Sequence, residues 1–315
     1  LQGHRGVWYS DIPENSFEAV EDAIKHNLHG VEFDVQQSFD RRLVLMHDYS
    51  LDRTLGVSQY VDELTLEELR QYKLIGSTRN ETVHTLIEHL TFLKKKNIDA
   101  SLDFKPVWLK DVDDDDDDEP RADRRDAEVE MIDLTAASRV LTQICLTNMS
   151  QNTVIATAEL DYIELFRVFA PKIPVVMDFI WYSPAVVLAS GHHSFFEISF
   201  ELLVCSPWLV NDAHRAGNPV IVFFLAIESR TAIAYALSLG VDALMLNDPS
   251  LFRLASEFYS LPPRLDGNHQ EFIDIGSRAA TCGGVGLFRE NENDVSALID
   301  GTWVARNNDS LPDPA

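Results

Sequence analysis

The sequence predicts an α/β fold, a parallel sheet and its helices closed into a (β/α)8 TIM-type barrel, and three observations carry that expectation. Short aliphatic runs recur along the chain, stretches of helical period separate many of them, and the runs are apolar on both faces, as strands are in a parallel sheet covered by helices. A chain of 315 residues also has room for one such barrel, which commonly takes about 250 residues.

The elements follow in chain order. Residues 1–3 form a strand stub that ends at His4 and Arg5. Residues 16–26 carry apolar side chains at Phe17, Val20 and Ile24 with acidic groups in the first turns, the pattern of an amphipathic helix. Residues 30–35 are the next strand. Residues 43–46 come after a polar link too short for a helical crossover, so they read either as a further strand or as the return arm of a hairpin. Residues 64–74 read as a helix, with Thr65 and Glu68 spaced as a capping box. Further strands are expected at 100–105, 153–157, 174–179, 200–204, 219–225 and 243–246, which makes nine with the stub, one more than the barrel needs. Residues 228–240 read as a helix that ends on a glycine.

Two segments leave this rhythm. Residues 110–130 hold twelve acidic and four basic side chains, so 111–130 reads as an acidic, disordered insertion. Beyond Pro262 and Pro263 the chain turns rich in glycine, asparagine and aspartate. The expected division is a catalytic barrel over 1–261 and an irregular C-terminal extension over 262–315.

Composition narrows the partners. The net charge of −25 argues against nucleic acid and anionic membrane surfaces as non-specific partners. No apolar run is long enough for a transmembrane segment. Cys145, Cys205 and Cys282 are far apart with no CxxC, so neither a disulfide framework nor a zinc site is expected. Buried, unpaired thiols are the expectation, and they favour the cytoplasm. The chain opens on Leu1 only three residues before its first motif, so the N-terminus reads as incomplete.

Residues two apart on a strand share a face, so Glu32 and Asp34 point the same way, as do Asp103 and Lys105. His4, Arg5 and His47 stand at the ends of their runs. All these positions fall at the C-terminal ends of expected strands, where parallel barrels build active sites. Three carboxylates (Glu32, Asp34, Asp103) form an oxygen-only donor set for a hard divalent cation, Mg2+ or Ca2+. Arg5 and Lys105 suit a phosphate or serve as counter-ions for the carboxylates. His4 and His47 are suited to act as general acid and base on either side of a phosphodiester. Glu14 and Asn15 read as loop and cap residues of the helix that starts near Ser16.

These residues resemble a known family. His4-Arg5-Gly6, Pro13-Glu14-Asn15-Ser16, Glu32-Phe33-Asp34-Val35, Met46-His47-Asp48 and Asp103-Phe104-Lys105 are similar, in this order, to the signature of the glycerophosphodiester phosphodiesterases. Asn247-Asp248-Pro249 resembles a later landmark. The resemblance implies a metal-dependent hydrolase that splits glycerophosphodiesters into glycerol phosphate and an alcohol. His4 and His47 would be its acid/base pair, Glu32, Asp34 and Asp103 its metal ligands, and Arg5 and Lys105 its phosphate clamp. A cyclic phosphate formed by a neighbouring glycerol hydroxyl would be the intermediate. Three departures stand out: Asp103 where many members carry glutamate, Phe223-Phe224-Leu225-Ala226 where a Trp-Thr-Val-Asn run is common, and the acidic insertion after Lys105. The same barrel also admits a lysophospholipase D or a cyclising phospholipid lyase in contact with lipid, or a ligand-binding module without turnover.

Overall fold

A computed structural model of the chain describes residues 1–7, 12–107, 132–178, 195–225, 228–248, 250–252 and 255. The expected insertion at 111–130 and the extension at 262–315 lie outside the described residues, as do the apolar stretch 179–188 and Cys282.

The strands are β1 (Gln2–Gly3), β2 (Gly30–Gln37), β3 (Leu43–Leu45), β4 (Asp99–Phe104), β5 (Thr153–Thr157), β6 (Val175–Asp178), β7 (Phe195–Ser199), β8 (Val220–Phe223) and β9 (Ala243–Leu246). The helices described are α1 (Phe17–Lys25), α2 (Asp52–Leu55), α3 (Leu66–Leu69), α4 (Leu86–Lys96), α5 (Leu134–Leu146), α6 (Leu160–Phe169), α7 (Phe200–Cys205), α8 (Trp208–Arg215) and α9 (Arg230–Ser238). Eight strands, all but β3, pair in parallel around a closed ring. The two-residue β1 makes the closure: Gln2 pairs with both Gly30 and Met245, and Gly3 with both Val31 and Leu246.

Strand alternation sorts the side chains. Val31, Phe33, Val35, Leu102, Phe104, Ile155, Ile198, Val222 and Leu244 join the helices in the main core. Their neighbours along the strands face the barrel interior. On the β8–β9 side these are Ile221, Phe223 and Met245, which form a small apolar cluster of their own. On the β2–β4 side they are Glu32, Asp34, Ser101 and Asp103, which make a charged wall; Glu197 of β7, between the core residues Phe196 and Ile198, adds a buried carboxylate elsewhere in the ring.

Backbone contacts hold β1 in place. A Cβ on Gly3 would lie 2.2 Å from the carbonyl oxygen of Gly6, and one on Gly6 2.6 Å from Ala19 Cβ on α1. Gly6 also has φ +87°, which only glycine adopts without strain. α1 starts where Ser16 Oγ accepts from Ala19 N at 3.0 Å and donates to Pro13 O at 2.6 Å. That hydroxyl fixes the approach of the 13–16 loop.

β3 resolves the ambiguity at 43–46: it pairs antiparallel with the last residues of β2, Val35 to Gln37, and is the return arm of a hairpin. Residues 36 and 37 overhang the ring, because β4 pairs with β2 only as far as Val35. Beyond the hairpin, Val44, Met46, Leu51, Leu55, Val61, Leu64, Leu69, Leu74 and Val83 make a second small core.

Three expectations are corrected. Residues 200–204 are not a strand but the start of α7, and the strand is Phe195–Ser199 immediately before it. Ser199 Oγ accepts from Leu202 N at 3.1 Å, and Phe200, Leu203 and Val204 are buried at helical spacing. The run from 195 to 205, apolar but for Glu197, Ser199 and Glu201, hides that change of period. Residues 64–74 hold only the single turn α3, although the capping box forms between Thr65 and Glu68. Leu64, Leu69 and Leu74 recur every five residues into the second core, a spacing no helix maintains. The thiols among the described residues are not buried either: Cys145 is exposed and Cys205 half-buried. No helix among the described residues is long and apolar enough to cross a membrane.

Candidate active site

The charged wall gathers every residue singled out from the sequence. Asp34 pairs in register with Asp103 across β2 and β4, and Glu32 lies one inward position further down β2. Oxygens of Glu32, Asp34 and Asp103 lie within 4.8 Å of one another. Burial, then the charges of Asp34 and Asp103, push the Glu32 carboxyl well above the usual carboxylate range. Burial acts upward on Asp34 too, but Lys105, His47 and Arg5 together outweigh it and hold that group ionised. Three close oxygens, one of them disfavoured as an anion by burial and by the other two, could hold a divalent cation.

Lys105 follows β4 and continues its ladder, its N–H donating to Val35 O at 3.0 Å. Its ammonium lies 3.0 Å from Asp34 Oδ1 and also bonds Asp103 Oδ2. Arg5 bends back just past β1 through a left-handed backbone (φ 51°). Its N–H donates to Glu32 Oε2 at 2.7 Å, and Asn15 N donates to its carbonyl at 2.9 Å. Its guanidinium lies 3.4 Å from Asp34 Oδ2 and 3.3 Å from both oxygens of Glu14. The counter-ion role that the sequence allowed for these two cations is thus present in the geometry.

The histidines arrive by different routes. His4 extends β1, and its N–H continues the ladder to Leu246 O at 3.1 Å. Its Nδ1 lies 2.7 Å from Asn247 Oδ1, and its Nε2 lies 3.9 Å from Glu32 Oε2. Burial, and next the positive charge of Arg5, lower its pKa to about 3, so the ring is neutral near pH 7. His47 lies at the end of an antiparallel arm, not at a C-terminal barrel-strand end as the sequence reading had it. The hairpin overshoots the rim and β3 carries the chain back, so that Met46 N bonds Asp34 O at 3.0 Å and His47 follows at that level. The Gln36 amide, buried on β2, holds this turn through the carbonyls of Met46, His47 and Asp48 at 2.8–3.0 Å.

Behind His47 stands a network that sequence reasoning missed. His47 Nδ1 donates to Asp48 Oδ1 at 2.6 Å. Arg53 Nε donates to Asp48 Oδ2 at 2.6 Å, and its two terminal nitrogens grip both oxygens of Glu14 at 2.7 Å. Burial opposes ionisation of Asp48, but the bonds from His47 and Arg53 prevail and keep its carboxyl well below the ordinary range. Asn15, read as a cap residue, donates instead to Asp34 Oδ2 at 2.9 Å and accepts from Asp34 N at 3.2 Å, while Ser16 is the cap. The available signals were the motifs Pro13-Glu14-Asn15-Ser16 and Met46-His47-Asp48, each too short to say which side chains face the site.

The arrangement can place a cation and two imidazoles, each with Nδ1 already occupied, around one small polar space. Comparison with known proteins agrees with it. The model described as "Glycerophosphoryl diester phosphodiesterase family" matches residues 4–251. Glycerophosphodiester phosphodiesterase 1 of Mus musculus is 34% identical over 108 residues, 32% of this chain and 32% of that protein. A putative glycerophosphodiester phosphodiesterase of Bacillus subtilis is 43% identical over 68 residues, 22% of this chain and 28% of that one. The matched segment thus spans about a third or less of these relatives. Among solved structures, a glycerophosphodiester phosphodiesterase from Parabacteroides distasonis superposes with TM-score 0.64 at 22% identity, covering 82% of this chain and 96% of that one. A phosphodiesterase from Oleispira antarctica, solved with the product sn-glycerol-3-phosphate, gives TM-score 0.65 at 19% identity, covering 81% and 96%.

Proposed function

Because the chain belongs to the glycerophosphoryl diester phosphodiesterase family, we propose that it hydrolyses small glycerophosphodiesters to glycerol phosphate and an alcohol, with a divalent cation, through His4 and His47. The observation that carries this reading is the pair of imidazoles beside the carboxylate cluster, each with its Nδ1 held by an oxygen and its other nitrogen left for proton transfer. Glu32, Asp34 and Asp103 would hold the cation, Mg2+ or Ca2+, which when bound supplies charge stabilisation at the phosphoryl oxygens.

The protein's own residues account for the protons. His4, neutral and unprotonated on Nε2, takes the proton of the glycerol hydroxyl next to the phosphodiester as that oxygen bonds to phosphorus. His47 gives a proton to the departing alcohol oxygen as the P–O bond breaks. Water then opens the cyclic phosphate with the two roles exchanged, so no proton is gained or lost over the cycle. Arg5 pairs at 3.3–3.4 Å, against 2.7 Å for Arg53 on Glu14. Arg5 and Lys105, both beside the carboxylate cluster, are the two cations that would meet the phosphate oxygens.

The test is release of glycerol phosphate from glycerophosphocholine with Mg2+ or Ca2+, with chelator as the control. Metal-dependent release is expected; a folded, cation-binding protein that releases none would overturn the reading. A second reading, a lysophospholipid substrate, draws on exposed Tyr49, two residues past His47, and exposed Leu225, two past the end of β8. Greater turnover of lysophosphatidylcholine than of glycerophosphocholine would favour it, and phosphorus NMR of the products would reveal a reaction that stops at the cyclic phosphate.

A further inference from the structure

Glu228 lies between β8 and the Ser229 cap of α9, at the catalytic end of the barrel. The sequence marks it only as the start of a helix. In the fold, its carboxylate accepts from Asn247 N at 2.8–2.9 Å, from Asn247 Nδ2 at 2.8 Å and from Asp248 N at 2.7 Å. Burial raises the Glu228 pKa, but three N–H groups converge on its carboxylate and favour the ionised, accepting form.

An asparagine amide presents oxygen on one side and NH2 on the other, and its partners decide which faces where. Glu228 accepts only, so the NH2 of Asn247 faces it. Oδ1 of Asn247 must then face His4, where it lies 2.7 Å from Nδ1. A carbonyl oxygen also accepts only, so the His4 proton sits on Nδ1. The lone pair is left on Nε2, the nitrogen 3.9 Å from Glu32 Oε2 at the carboxylate cluster. With the amide turned round, its NH2 would face Nδ1, the proton would move to Nε2, and His4 would have no lone pair to offer there.

The geometry points to Glu228 as a positioning residue that sets the tautomer of His4 through the side-chain amide of Asn247. This deepens the function proposed above and rests on His4 as the proton acceptor. Groups one step removed from a reacting centre typically carry about 10–100-fold in activity, and a tautomer effect belongs in turnover, not in substrate affinity.

The test joins two readouts on the full chain. In 15N NMR of histidine-labelled protein, with His4 assigned by its loss in His4→Gln, the wild type is expected to show Nδ1 protonated and Nε2 unprotonated. In Glu228→Gln the new NH2 opposes the donors around it, so the two nitrogens are expected to shift toward values averaged over both tautomers. In the same variant kcat for glycerophosphocholine is expected to fall about 10–100-fold with KM little changed. If Glu228→Gln does not fold, Asn247→Leu removes the acceptor of Nδ1 and is read the same way. A wild-type His4 protonated on Nε2 would overturn the proposal. So would a variant that changes only one of the two readouts, or neither. Absence of turnover in the wild type would instead overturn the proposed function, and the tautomer would still decide the role of Glu228.

Discussion

At the scale of single residues, the site is built from groups that would be costly apart. Glu14 is buried, and its ionised form is compensated by two guanidiniums, bidentately by Arg53 and loosely by Arg5. Arg53 in turn fixes Asp48, and Asp48 fixes the ring of His47. Removing either imidazole, in His4→Ala or His47→Ala, is expected to reduce kcat by about 10²–10⁴ with the fold retained by circular dichroism. Full turnover in His47→Ala would exclude a two-histidine mechanism. Arg53→Lys keeps the charge but not the fork, and one ammonium cannot reach both Glu14 oxygens and Asp48. Steady-state kinetics is therefore expected to show kcat about 10–100-fold down, close to the value for Arg53→Met; wild-type rates in Arg53→Lys would mean that charge alone suffices.

At the scale of elements, the β2–β3 hairpin and the packing of α1 and α4 on β2 decide where the site residues stand. α4 brings His89 into complete burial, stacked on Phe17 of α1 at 4.4 Å and edge-on to Phe33 of β2 at 4.8 Å. Neither ring nitrogen of His89 has a hydrogen-bond partner among the described residues. Burial, and then nearby His84, hold its pKa well below the ordinary 6.5. In the unfolded chain the ring protonates near 6.5, whereas the folded protein keeps it neutral. Stability is therefore undiminished above about pH 6.5 and falls as pH drops below it, by at most about 1.4 kcal/mol per pH unit. His89→Leu removes that loss. Thermal melts are expected to favour the variant over wild type more at pH 5 than at pH 8, and an equal difference at both would sink the argument.

At the scale of the whole molecule, the closed barrel brings carboxylates from β2 and β4 together, so binding of the proposed cation would be linked to folding. An ion that binds only the folded state stabilises it by about 2.7 kcal/mol at a hundred times its Kd. Differential scanning fluorimetry is expected to show a higher Tm with Mg2+ or Ca2+ than with chelator. Glu32→Gln removes a carboxylate whose pKa is raised first by burial and then by repulsion from Asp34 and Asp103, and it also removes a proposed ligand. With chelator it should melt at or above the wild type, and with cation below it. A variant that responds to the cation as the wild type does would remove Glu32 from the ligand set.

What the sequence determined by itself is the local pattern and the chemical inventory. Alternation placed Glu32 with Asp34 on one face of β2, the capping box at Thr65 and Glu68 was legible, and the order of five short motifs was enough for the family. Such features are written in neighbouring residues, where period and spacing are set by backbone geometry alone. Tertiary structure decided the rest. Nothing near His4 names Asn247, 243 residues away, because their meeting depends on ring closure by β1 between β9 and β2. Near His47 the short polar link left the return arm of a hairpin open, but a short apolar run does not carry its own direction, and the antiparallel pairing of β3 with β2 decided it. The partners of Glu14, Asp48 and Glu228 were hidden for the same reason: a buried charge is matched to whatever the fold brings beside it, and that match is made in space, not along the chain.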